Sequence, residues 1–173
     1  MKAFRAKSKV VDQIRGDHTK QCANLRDYVL ELKANNPNTN VKIKCEHPDD
    51  PEDTHRVFQR IYICIGALKE GFKAGKRDLL GFDGTFMKGP FPGQLLTAVS
   101  LDPNNGIYPL AYCIAEAENK ESWTWFLEQL GEDLDLQRDS HFTFISDRQK
   151  VISLPLLNNF ICLYNMYTYT LAL

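Results

Sequence analysis

Two aspartates carry the most chemistry in this sequence. Asp83 sits inside the apolar run Leu79–Phe86 (LLGFDGTF), and Asp147 closes His141–Asp147 (HFTFISD) 64 residues later. Both runs are short, apolar and flanked by turn formers, so both read as strands. If those strands are neighbours, their backbones lie about 4.8 Å apart and two carboxylates at one level converge. Like charges so close do not both ionise cheaply. A divalent cation removes the conflict: hard Mg²⁺ takes carboxylate oxygen and keeps waters for phosphate ligands. Two such ions about 3.5–4 Å apart activate a water or a 3′-hydroxyl and stabilise the leaving oxygen of an in-line phosphoryl displacement. Plainer readings use the same residues. Asp83-Gly84 also suits a hairpin turn, and Asp147 or Ser146 suits the cap of a following helix. Residue types and spacing leave these readings open.

The elements that must position the two acids follow from the pattern around them. Gly89 to Gly93 turns the chain after Leu79–Phe86, and Gln94 to Leu101 (QLLTAVSL) reads as the next strand. Asp102-Pro103-Asn104-Asn105-Gly106 is a strong hairpin turn, and Ile107 to Ala115 (IYPLAYCIA) returns as a third strand. Glu121 to Leu134 then places Trp123, Phe126, Leu127, Leu130 and Leu134 at helical core spacing. With His141–Asp147 the order is β-β-β-α-β: an antiparallel meander, then a crossover helix into a strand able to pair in parallel. Upstream, residues 3–14 and 18–34 have helical spacing, 35–40 is an Asn- and Pro-rich loop, and Val41 to Cys45 alternates like a half-exposed strand. His47 to Thr54 is an acidic loop. Val57 to Phe72 reads as a strand giving way to a helix near Gly66, with no clear boundary, because short apolar runs do not discriminate.

The 173 residues are 43% hydrophobic and 25% charged, which argues against wholesale disorder, collagen-like structure, a disulfide scaffold and a multi-span membrane protein. Length allows one domain, or one with a small satellite. The net charge of -1 hides an uneven distribution. Residues 1–80 carry 16 basic and 11 acidic side chains, residues 81–150 carry 5 and 11, and residues 151–173 carry none. An acidic middle is unlike a plain nucleic-acid clamp. The five cysteines are widely spaced with no C-x-x-C, as expected of reduced thiols, and no zinc site is expected. No apolar stretch follows the basic N-terminus, so no signal peptide is expected.

The residues around both acids resemble a known family. Gly81-Phe82-Asp83-Gly84-Thr85-Phe86-Met87-Lys88-Gly89 resembles the first-strand motif of Mutator-like element (MULE) transposases. The likeness continues through Gln94 to Asp102, Asn104 to Ala111, Glu118-Asn119, Ser122 to Leu127 and Ile145 to Lys150, with a looser lead-in at Phe58 to Tyr62 and Ala67 to Phe72. The resemblance implies an RNase H-like α/β fold with an Asp-Asp-Glu triad that cuts and joins DNA with Mg²⁺ or Mn²⁺. In that reading Asp83 and Asp147 are the first two catalytic acids and metal ligands. Lys88, Arg148 and Lys150 are candidate contacts to DNA phosphates, with solvated surface cations as the plainer alternative. The implied partner is DNA, the transposon ends, with homo-oligomers in view, no small-molecule substrate and no membrane; the implied location is the nucleus.

The chain departs from the family pattern after Lys150. No Asp or Glu follows Asp147, and Glu116, Glu118 and Glu128 all precede it, so none occupies the family's position for the third acid. Three segments are therefore expected: 1–54, a small helical or α+β segment; 55–150, a partial RNase H-like catalytic domain with an incomplete β-β-β-α-β core; and 151–173, an uncharged off-family tail. The functional expectation is a transposase fragment inactive on its own. The alternative is a domesticated, transposase-derived DNA-binding or regulatory protein without catalysis.

Overall fold

The computed structural model describes residues 24–46, 57–75, 78–88, 92–136, 142–146 and 166–168. The chain divides into two compact units, Met1–Asn35 and Asn36–Leu173. Within the first, helix α1 spans Leu25–Asn35, where the Asn35 side chain closes the helix by donating to the Glu31 carbonyl at 3.0 Å. The helix expected over 3–14 lies outside the described residues.

The second unit is mixed α/β. Its elements are β1 (Asn40–Glu46), β2 (Val57–Cys64), α2 (Gly66–Gly75), β3 (Leu79–Met87), β4 (Gly93–Leu101), β5 (Ile107–Ala115), α3 (Lys120–Leu134), β6 (Thr143–Ser146) and β7 (Met166–Thr168). They build a seven-stranded sheet in the order β1-β2-β5-β4-β3-β6-β7. β3, β4 and β5 form the antiparallel meander, and β6 joins the free side of β3 in parallel, from Leu79↔Thr143 to Phe82↔Ser146. The observed order β3-β4-β5-α3-β6 is the expected β-β-β-α-β series. β1, placed by sequence in the segment ending at 54, pairs along all of β2, and β2 pairs with β5, so both belong to the same sheet. The ambiguous stretch from Val57 resolves at Ile65: β2 ends at Cys64 and α2 begins at Gly66, whose amide donates to the Thr39 hydroxyl at 3.0 Å. No Cβ would fit at Gly66, because the Pro37 carbonyl oxygen already lies 2.0 Å from where it would stand.

One face of the sheet is dry because alternation puts apolar side chains there. Leu80 and Phe82 of β3, Leu96 and Ala98 of β4, and Cys113 and Ala115 of β5 are buried beneath α3. α3 answers with Trp123, Phe126, Leu127, Leu130 and Leu134. Trp123 meets Phe82 edge-on at 6.3 Å and Phe126 at 5.7 Å, and Phe82 stacks on Phe144 of β6 at 6.1 Å. Such offset and edge contacts favour the ring quadrupoles. Asn119 starts the helix with a capping box, its side chain accepting from the Ser122 amide while Ser122 accepts from the Asn119 amide. Asp135 ends it in the left-handed conformation at φ 56°. No helix among the described residues is long and apolar enough to cross a membrane.

Two polar clusters inside this layer fix where α3 lies. The Asp133 carboxylate accepts from the Tyr62 hydroxyl at 2.8 Å, from Lys69 at 2.9 Å and from Asn40 at 3.2 Å, joining β1, β2 and α2 to the helix. At the other end, the fully buried Arg60 pairs with Glu116, and with Glu121 at 3.2 Å, and lies over the Trp125 ring at 5.9 Å. Burial pushes the Tyr62 phenol far above its ordinary range. It also lifts the Cys64 thiol to about 11 and the Cys113 thiol to about 12.

Asp133→Ala strands a buried phenol and a mostly buried ammonium, and should cost about 3 kcal/mol in chemical denaturation. Asp133→Asn, which keeps an acceptor for Tyr62, should cost less. The raised thiols bind protons in the folded state that the unfolded chain releases near pH 9. Their contribution is therefore complete below that pH and lost as pH climbs toward the folded values. Alkylation of the native chain should reach the half-buried Cys45 well before Cys64 and Cys113.

Candidate functional site

Strand β3 carries Asp83 at its middle, between Phe82, which points into the core, and Gly84. Alternation turns Asp83 to the sheet face away from α3, where it is exposed. Its cross-strand partner on β4 is Thr97, whose hydroxyl donates to the Asp83 carbonyl at 3.1 Å. The carboxylate leans along its own strand, Oδ1 accepting the Gly84 amide at 3.0 Å. On the same face Ile63, Thr97, Val99 and Tyr112 line a shallow apolar groove of about 270 Å³. Past Asp83 the strand runs into solvent: Thr85, Phe86, Met87 and then Lys88 are exposed, Phe86 by 76%. The hairpin-turn reading of Asp83-Gly84 fails here, because both residues lie within β3 and pair with Thr97 and Leu96.

On the other side of β3, the pairing with β6 is described up to Phe82↔Ser146, one residue short of both aspartates. Asp147, Arg148 and Lys150 lie outside the described residues. Lys88 lies just beyond the end of β3, exposed.

Sequence reading set aside one acid near this point. Glu118 lies between β5 and α3, and its carboxylate rests against Gly84. A Cβ at Gly84 would stand 2.5 Å from Glu118 Oε1 and 2.9 Å from Oε2. Oε1 accepts the indole N–H of Trp123 at 3.3 Å, the only polar atom of a side chain with no exposed surface. In chain order Glu118 precedes Asp147, so it does not occupy the family's position for the third acid. The usable signal was the pairing of a residue lacking a side chain beside Asp83 with a core tryptophan five positions after the glutamate. Among the described residues no group of three or more His, Cys, Asp or Glu is clustered to hold a metal ion.

A family model described as the MULE transposase domain matches residues 79–167, just over half of the chain. The matched range begins with β3 and holds Asp83, Glu118 and Asp147. It continues past position 150 through most of the stretch set apart by sequence as an off-family tail, and β7 lies at its end. No curated protein and no solved structure matches the chain significantly.

The contact at Gly84 makes a prediction of its own. Gly84→Ala puts a methyl where the Glu118 carboxylate rests and should drive that side chain off Trp123. The loss of a largely buried hydrogen bond should lower stability by about 1–2 kcal/mol in denaturant titration, with a change in tryptophan fluorescence.

Proposed function

The chain belongs to the MULE transposase family, and from that premise we propose that Asp83 and Asp147 form the metal-binding carboxylates of an RNase H-like site for DNA strand cleavage and transfer. The observation that carries this reading is the parallel register of β3 and β6. Leu79↔Thr143 through Phe82↔Ser146 is an unbroken pairing, so the strand that carries Asp83 and the strand that precedes Asp147 in the chain are direct neighbours. Parallel partners in register turn their side chains to the same face. The β-β-β-α-β order of β3, β4, β5, α3 and β6 supports the RNase H-like assignment.

The donor set fits a hard divalent ion. Asp83 offers exposed carboxylate oxygens, and no Lys or Arg among the described residues pairs with it. When bound, Mg²⁺ or Mn²⁺ supplies a Lewis acid for a phosphate oxygen and lowers the pKa of a coordinated water. The chain's own residues do the rest. Asp83 and Asp147 would hold the ion, Thr97 fixes the backbone beneath Asp83, and Lys88, Arg148 and Lys150 would meet phosphates of the DNA. Of these 173 residues none after Asp147 is an acid. The family's downstream glutamate is not among these residues, and the reading assigns to them metal and DNA binding within the nucleus.

A second reading, DNA binding without chemistry, draws on the basic excess of residues 1–80. Both readings expect affinity that falls as salt rises, because phosphate contacts release counterions. Metal separates them. Calorimetric titration of the 173-residue chain with Mn²⁺ should show binding that Asp83→Asn and Asp147→Asn each abolish or weaken at least tenfold. Metal binding that is absent, or indifferent to both substitutions, sinks the catalytic reading and leaves the regulatory one.

A further inference from the structure

We propose that Asn105 is a self-modification site, an asparagine that deamidates through its neighbour Gly106, and that the Asp102 carboxylate holds this reaction shut while the turn between β4 and β5 is folded. Asn105 and Gly106 both stand exposed in that turn. The reaction open to such a pair consumes only water. The Gly106 nitrogen gives up its proton and attacks Cγ of the Asn105 side chain. The new C–N bond closes a five-membered imide, and the side-chain nitrogen leaves with the proton as ammonia. Water then cuts one of the two ring C–N bonds. The product is aspartate, or its isomer in which the main chain runs through the side-chain carbon. Nothing is oxidised or reduced. Glycine obstructs ring closure least, because it has no Cβ. Asn104 lies in the same turn but is followed by Asn105, which carries a side chain, so it serves as an internal comparison.

The fold engages the attacking atom. The Gly106 amide donates to Asp102 Oδ1 at 2.7 Å, and the same oxygen accepts from the Asn104 amide at 2.8 Å. Hydrogen bonds to an ionised acceptor are among the stronger ones. The carboxylate thus keeps the proton that the nitrogen must lose, and its charge opposes a second negative charge there. Closure also needs the nitrogen within about 3–3.5 Å of Cγ and aligned with it. Any rotation of the 105–106 peptide toward the side chain must break bonds on both sides of it. The Asn105 amide donates to the Asp102 carbonyl at 3.0 Å, and the Asp102 amide donates to the Gly106 carbonyl at 2.9 Å. Asn105 itself sits at φ 64°, a left-handed conformation that asparagine tolerates. Conversion would set a second carboxylate beside Asp102 and, in the isomer, one more main-chain atom in a tight turn. It would loosen the junction of two strands at the middle of the sheet.

Two substitutions test the lock. Asp102→Asn keeps an oxygen that accepts from both amides and removes the charge, and Asp102→Ala removes both. The new asparagine cannot react by the same route, because Pro103 has no N–H. At neutral pH, followed by peptide mass spectrometry, the folded parent should convert Asn105 slowly and Asp102→Asn faster. Asp102→Ala should exceed the parent on the order of tenfold or more, approaching the urea-unfolded chain. Asn104 should keep its amide throughout. Amide hydrogen exchange along the β4–β5 ladder should be the same in Asp102→Asn as in the parent. Conversion that is no faster in either variant, or slower, shows that Asp102 is not a lock and overturns the proposal. So does faster conversion matched by faster exchange along the ladder, since hairpin opening would then set the rate. An Asn105 that stays intact even in the unfolded chain is no modification site at all.

Discussion

The packing of Trp123 is the constraint on which the site and the core both rest. Its indole fills the space between β3 and α3, touching Phe82 and Phe126, with no surface left to solvent. A ring buried so completely needs a partner for its single N–H. Glu118 is that partner, and the carboxylate can stand there only because Gly84 has no side chain. An apolar packing demand is thus answered by an acid placed next to the strand that carries Asp83. The capping box at Asn119 and Ser122 fixes where α3 begins, and so fixes the residue just before it. Arg60 adds a second tether, since it holds Glu116 and Glu121 on either side of Glu118.

Much of this was legible in the sequence because local signals and burial agreed. β4 alternates buried and half-buried positions along its whole length, β5 is bounded by a Pro-Asn-Asn-Gly turn, and α3 repeats its core residues at helical spacing. Local and tertiary preferences reinforce each other there. The strand–helix boundary after Val57 was not legible, since Ile61, Ile63 and Ile65 serve a buried strand or a helix equally well. What decides it is tertiary: pairing with β5 and the close approach of Pro37 to Gly66. β1 reads as a strand from its alternation, but its pairing with β2 across the acidic loop is not legible, because pairing partners leave no mark on composition.

Asp83 stands out by its neighbours in sequence, whereas the contact of Glu118 with Gly84 and Trp123 leaves no mark along the chain. Reasoning along the chain ranks acids by order, and in that order Glu118 comes too early. Space has no such order. The loop from β5 into α3 returns over the meander and sets residue 118 against residue 84, on the strand two places away in the sheet. The MULE match likewise reaches beyond the point where the familiar motifs thin out, to residue 167.

The parallel joining of β6 to β3 bears on how the molecule is assembled over time. The meander closes through short hairpins, but β6 reaches its place only after α3 has crossed two strands, with more than sixty residues between Leu79 and Thr143. Closing a loop of that length costs chain entropy before any contact repays it. The order of events that follows is hairpins first, the helix laid down on them next, and the fourth strand last. Until β6 docks, a nascent chain would carry Asp83 on a strand whose outer edge is unpaired.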